Sequence, residues 1–170
     1  FSDEADCARK VRLVQLLSPI FYALFANSPI LEDRPNGYLS IRGEIWSRTD
    51  PDRCGLIEQL LKPGAGFSDY VDYALDVPLY FIEREGQLYN LTEQRFTFRQ
   101  YLESGYQAFR ATLADWELHL STLFPEVRLR PQVEMRSADS LPPQMAASVA
   151  GLVKGLLYDE EALQVVERLL

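Results

Sequence analysis

The stretch Val127-Arg128-Leu129-Arg130-Pro131-Gln132-Val133-Glu134-Met135-Arg136 decides how the chain is read. It alternates with period two. Val127, Leu129, Val133 and Met135 fall on one face, and Arg128, Arg130, Gln132, Glu134 and Arg136 on the other. One apolar and one charged face describe a strand of an antiparallel sheet packed on one side only. Same-face neighbours lie ~6.6–7 Å apart. Glu134 and Arg136 are therefore spaced to hold one ligand between them, the carboxylate on a metal and the guanidinium fork on a phosphate oxygen. A solvated outer face is the commoner fate of such a pattern, and alternation alone leaves both readings open. Pro131 offers no N–H and points to an edge or a bulge.

Outward from this ribbon, helices and strands are intermingled. Ser2 followed by Asp3, Glu4 and Asp6 reads as a capped, acidic helix start. Val11, Val14, Leu17 and Phe21 continue it at helical spacing to about Ala26, with Pro19 a kink. Residues 27–40 form a loop rich in turn formers. Short helices are predicted over 42–48, 68–76, 98–103 and 113–123, and a last one from about Gln144 to the end. Leu79–Glu83 and Gln87–Leu91 read as a β-hairpin. No regular βαβ alternation is present. The expected class is α+β, an antiparallel sheet with flanking helices.

Composition narrows the function. The 170 residues carry 17 Lys+Arg against 25 Asp+Glu, a net charge of −8. So acidic a chain argues against nucleic-acid and anionic-membrane partners. No apolar run reaches the ~18 residues of a membrane span. Two cysteines, Cys7 and Cys54, make no disulfide framework, and the expected location is cytoplasmic. With one histidine the chain lacks a zinc ligand set, so a bound metal would take oxygen ligands, as Mg²⁺ does. Phe1 opens directly onto a helix start and Leu170 falls inside a helical pattern, so the chain reads as a piece of a longer protein.

Four further positions are candidates. Arg42 and Arg53 lie in or beside loops, where binding residues concentrate. Trp46 is one turn from Arg42 and can cover a ligand or pack in the core. Tyr73 sits among Asp69, Asp72 and Asp76 on a half-exposed helix. His119 follows Asp115 by four residues, within pairing distance on a helix, and reads as structural. Neither glycine-rich phosphate loop is present.

Taken in order, several blocks resemble the plant-type glutamate–cysteine ligases. They are Ala23–Pro29, Asn36–Arg42, Ile45-Trp46, Thr49–Arg53, Tyr70–Pro78, Thr97–Gln100, Asp115–Leu129, Glu134-Met135-Arg136 with Asp139, and Gly155–Asp159. The series spans nearly the whole chain. It implies the carboxy-terminal portion, over residues 1–170, of an ATP- and Mg²⁺-dependent catalytic domain related to that of glutamine synthetase. The implied reaction joins the γ-carboxylate of glutamate to the amine of cysteine, the first step of glutathione synthesis. The resemblance also implies that Glu134 ligates metal, that Arg136 and Arg42 act on phosphate or carboxylate groups, and that Arg53, Trp46 and Tyr73 contact substrate. The family's amino-terminal half, with its Glu-x-Glu strand, is not in this sequence. Pro131 stands where the family usually has a basic residue, and the family's regulatory cysteine pairs have no counterpart here. Two other readings stand beside this one: a ligase of the same fold with a different amine acceptor, and a module without catalysis of its own when isolated.

Overall fold

Asp3, not Ser2, caps the first helix, its carboxylate accepting the Asp6 N–H at 2.9 Å. Helix α1 then runs over Glu4–Leu24, through Pro19. The computed structural model describes all residues, 1–170. After α1 come β1 (Ile30–Leu31), β2 (Arg34–Pro35), α2 (Ile41–Ser47), β3 (Cys54–Gly55) and α3 (Phe67–Asp76). Next are β4 (Phe81–Arg84), β5 (Gln87–Asn90), α4 (Phe98–Ser104), α5 (Leu113–Ser121), β6 (Phe124–Pro125), β7 (Val127–Leu129) and β8 (Val133–Met135). Helices α6 (Pro143–Leu157) and α7 (Glu160–Leu169) end the chain. They stand where one helix is expected. The break falls at Tyr158-Asp159, where Asp159 accepts the Ala162 N–H and caps a new helix.

The class is α+β, but the single antiparallel sheet is not there. The strands pair in twos: β1–β2, β4–β5 and β7–β8 antiparallel, and β3–β6 parallel. The β4–β5 hairpin turns on Glu85 and Gly86, both at positive φ, the backbone that a two-residue turn between twisted strands requires.

The ribbon at 127–136 is also corrected. It is a hairpin, not one strand. Arg130, Pro131 and Gln132 form its turn, closed by the Arg130 N–H on the Gln132 carbonyl at 3.0 Å. A turn of three residues leaves the parity of the pattern unchanged, so Val127, Leu129, Val133 and Met135 still share a face. That face packs on α1, where Cys7, Val11, Val14, Leu17 and Phe21 join Val127, Leu157, Leu163 and Val166 in the main core. On the charged face Arg128 stands directly opposite Glu134.

A second core gathers Leu79, Ile82, Leu91, Phe98 and Tyr101 around the β4–β5 hairpin. The expected Asp115–His119 pair does not form. Asp115 is buried and takes the Arg84 guanidinium, with Nη1 at 2.5 Å from Oδ1 and Nη2 at 2.7 Å from Oδ2. It also closes a capping box with Thr112. His119 instead donates from Nε2 to the Ala74 carbonyl at 2.8 Å, while its Nδ1 is buried without a partner.

That geometry yields a prediction. Burial lowers the His119 pKa to about 4. A proton added at Nδ1 would sit in the core with no acceptor. Stability is therefore fully present above the ordinary pKa of ~6.5 and is lost as pH falls towards the folded value, by roughly 3 kcal/mol in all. Urea denaturation of His119→Gln tests this. Between pH 7 and 4.5 the native protein should lose about 2–3 kcal/mol more stability than the variant. Equal losses would contradict the assignment.

Candidate active site

Two carboxylates build the site. The first is Glu134 on β8. Its Oε2 accepts from Arg128 Nε at 2.9 Å and Nη2 at 2.6 Å, and its Oε1 accepts from Arg136 Nη1 at 2.7 Å. Burial pushes the Glu134 carboxyl up, but the bonds from Arg128 and Arg136 outweigh it and hold it below the usual range. Arg128 also donates to the Leu123 carbonyl at 3.2 Å and is buried.

The second is Asp139, buried just beyond the hairpin. It accepts from the Asn27 N–H at 2.6 Å, the Ser28 hydroxyl at 2.7 Å and the Ser40 hydroxyl at 2.8 Å. Burial raises this carboxyl, and those three donors, in that order, bring it below the usual range. Ser40 in turn caps α2, accepting the Gly43 N–H at 3.1 Å. Helix α2 carries Arg42 and Trp46 to the hairpin. The chain then returns through β3, which pairs with β6 through the Phe124 N–H on the Arg53 carbonyl (2.9 Å) and the Glu126 N–H on the Gly55 carbonyl (2.8 Å).

The result is a cluster of cations on aromatic faces. Trp46 and Phe124 lie 5.7 Å apart, ring centre to ring centre. The Arg136 guanidinium is 5.0 Å from the Trp46 ring and 5.5 Å from that of Phe124. Arg42 is 6.0 Å from Trp46 on its own helix, and Arg128 is 5.8 Å from Phe124. One nitrogen of Arg42, Nη1, is buried with no hydrogen-bond partner. Beside the cluster is a cavity of about 540 Å³ lined by Tyr22, Tyr38, Ser40, Glu44, Trp46 and Glu126, among others. Tyr22 donates to Glu126 at 2.9 Å, and burial followed by the Glu126 charge pushes its hydroxyl up to about 12.

Glu134, Arg136, Arg42 and Trp46 are thus brought together. Arg53 is not. Its side chain is 1% exposed and fully engaged: Nε with Asp50 at 3.0 Å, Nη1 with the Thr122 hydroxyl at 2.9 Å, Nη2 with the Pro78 carbonyl. Its plane also stacks 3.3 Å from the centre of the Tyr80 ring. Buried under Tyr80 and bonded at all three nitrogens, it offers no open face to a substrate and holds loops together. Tyr73 packs against the main core, and its hydroxyl donates to the Arg53 carbonyl at 3.4 Å. That bond places it with the buried loop anchor, not with the cation cluster.

Within this chain alone Glu134 does not make a metal site. Both carboxylate oxygens are taken by guanidinium groups, and no group of three or more His, Cys, Asp or Glu side chains comes together to hold an ion. Two fixed positive charges at hydrogen-bond distance oppose a divalent cation at the same oxygens.

Arg128, Phe124, Tyr22 and Glu126 are not among the residues that the sequence singles out. Arg128 faces Glu134 only once the turn at 130–132 is known, and the others come together through tertiary contacts that no local pattern signals.

Comparison with known proteins agrees with the ordered blocks. The model of the family Glutamate-cysteine ligase family 2 (GCS2) matches residues 1–169. The chloroplastic glutamate–cysteine ligase of Brassica juncea is 48% identical over 169 residues, covering 98% of this chain and 32% of that protein. The Arabidopsis thaliana enzyme of the same name is 46% identical with the same coverage. Glutamate–cysteine ligase B, chloroplastic, of Oryza sativa subsp. japonica is 46% identical over 167 residues, 96% of this chain and 33% of that protein. The chain thus spans about a third of the length of these relatives. Their names place them in the chloroplast, which overturns the cytoplasmic expectation. A low cysteine count separates disulfide-forming from reducing compartments and carries no information on cytoplasm against plastid. The match across nearly every residue, with identity near one half, settles the grouping: this chain belongs to glutamate–cysteine ligase family 2.

Proposed function

We propose that the whole protein to which this chain belongs joins the γ-carboxylate of glutamate to the amine of cysteine at the expense of ATP, in a plastid. This chain supplies one portion of its catalytic domain. The observation behind this reading is the Arg42 guanidinium, whose Nη1 is buried and makes no hydrogen bond, with the Tyr22 hydroxyl beside the group. An unsatisfied buried donor costs on the order of 1–3 kcal/mol, more where it is charged. A carboxylate or phosphate oxygen arriving there removes that cost. Arg136, stacked on the same indole, adds a second fork for the same anion.

In the proposed reaction an oxygen of the glutamate γ-carboxylate attacks the terminal phosphorus of ATP, and ADP leaves. The cysteine amine then attacks the acyl carbon, the C–O bond breaks, and phosphate leaves as the amine loses a proton. Every species on this path is an oxyanion. Arg42 and Arg136 orient those oxygens and offset their charge, and transfer of this kind depends mostly on such positioning. Glu134 locks Arg136 in place and restrains the excess positive charge. The cavity beside Trp46 has aromatic walls and the carboxylates of Glu44 and Glu126, which suit the ammonium group of an amino acid. No step is assigned to a metal, since this chain spans about a third of its relatives' length and gathers no complete ligand set by itself. The glutamine synthetase-like fold belongs to the same reading: the two-stranded hairpins have free edges that further strands of the domain complete.

Three experiments test this. In the full-length protein, Arg136→Ala and Glu134→Gln should each lower formation of γ-glutamylcysteine by about 10²–10³-fold with the fold retained by circular dichroism. Unchanged turnover in either variant would overturn the roles of these two residues. Phosphate release with glutamate fixed and a panel of amines varied separates cysteine from other acceptors. The 170-residue chain alone should give no product, and detectable product from it would show that the site is complete without the remaining two-thirds.

A further inference from the structure

We infer that Asp139 is a positioning residue for Arg42 and Trp46, acting through the amino-terminal end of α2. The inference rests on the proposed role of Arg42 as an anion-binding group.

Three segments distant in sequence meet at this one carboxylate. One oxygen, Oδ2, accepts from the Asn27 N–H and the Ser28 hydroxyl, and the other, Oδ1, from the Ser40 hydroxyl. The two hydroxyl donors lead to α2. Ser40 is its cap and binds the Gly43 N–H. Ser28 binds the first turn twice, its carbonyl accepting the Ile41 N–H at 3.2 Å and its hydroxyl accepting the Arg42 N–H at 3.4 Å. Asn27 continues the grip on the far side, its side-chain amide donating to the Ser140 carbonyl at 2.8 Å.

The arrangement is one of constraint. Helix α2 has seven residues and none of them is fully buried; its packing is confined to Trp46 against Phe124 and the close approach of Gly43 to the Tyr22 ring. With so small a packed face, a helix of two turns depends on its ends as well for its position. At the far end the Arg53 anchor and the β3–β6 pairing fix the chain. At the near end Asp139 does so, and Asp139 lies three residues after Arg136. The same short segment therefore sets the place of Arg136 and, through Ser40 and Ser28, the place of Arg42 and of the Trp46 indole near both. Asp139 is 8% exposed and touches no part of the cation cluster or cavity lining other than Ser40, so it acts only through these neighbours.

The test uses the full-length protein. Asp139→Asn keeps an acceptor oxygen but loses the charge and the second acceptor. Ser28→Ala removes the two bonds of the Ser28 hydroxyl, to Asp139 and from the Arg42 N–H, and leaves the carboxylate and the Ser40 cap intact. Both should raise the KM for glutamate, Asp139→Asn by about tenfold and Ser28→Ala by less, with kcat changed less than KM. In an Arg42→Lys background, Asp139→Asn should add little further, because the group it positions is already altered. A merely structural role predicts lowered thermal stability, additive effects with Arg42→Lys and an unchanged KM, and that pattern would overturn the inference. A readout independent of the reaction separates this from failure of the functional reading. With 5-fluorotryptophan incorporated and the Trp46 resonance assigned by Trp46→Phe, Asp139→Asn should shift or broaden the Trp46 ¹⁹F signal. An unmoved Trp46 signal in a folded Asp139→Asn protein overturns the inference whether or not γ-glutamylcysteine is made.

Discussion

Glu134 places one negative charge between two guanidinium groups, and the arrangement of the site follows from it. Arg128 is buried, with only the Leu123 carbonyl and Glu134 as partners, so it cannot be left without the carboxylate at its side. Glu134 is in turn held at both oxygens, which fixes Arg136 over Trp46 and Phe124. The exchange leaves the cluster positive: three guanidinium groups, with Arg42, against one carboxylate. In a chain with a net charge of −8 this is a local gathering of positive groups. It is kept stable by aromatic faces, which offer electron density to a cation without supplying a proton acceptor that would compete with an incoming anion.

Much of this is legible in the sequence, and the reasons differ by residue. The two faces of the 127–136 ribbon can be read from alternation because parity survives a three-residue turn. The turn itself is hidden, because Pro131 fits a bulged strand and a turn equally well. The pairing of Arg128 with Glu134 depends on that turn and is hidden with it. Asp115 and His119 stand at helical spacing, which permits a contact without requiring one. The partners that prevail, Arg84 and the Ala74 carbonyl, come from distant segments. The break of the last helix at Tyr158-Asp159 is marked by a good capping residue, but an aspartate at that spacing also serves on the exposed face of a continuous helix.

Arg42 and Arg53 show why residue type does not assign a role. Both lie on blocks that resemble the family, and both are arginines near loops. Arg53 is surrounded by acceptors, Asp50, Thr122 and the Pro78 carbonyl, and covered by Tyr80. Arg42 lies on a helix whose neighbours leave one of its nitrogens without an acceptor. The difference is set by how many intrachain oxygens reach each guanidinium. A saturated guanidinium ties the fold together, and an unsaturated one is free to bind.

The same logic distinguishes the two carboxylates. Glu134 is stabilised by cations, so its charge is offset by Arg128 and Arg136. Asp139 is stabilised by neutral donors, an N–H and two hydroxyls, so its charge is not cancelled and continues to act on its surroundings. Arg42 is the cation that feels it. Asp139 thus acts on Arg42 without occupying any of its donors. A direct ion pair would stabilise Arg42 more and leave it less to offer a ligand. Holding the carboxylate one layer back, tied by hydroxyls to the backbone of the helix that carries Arg42, keeps the guanidinium in place and still open to an oxyanion.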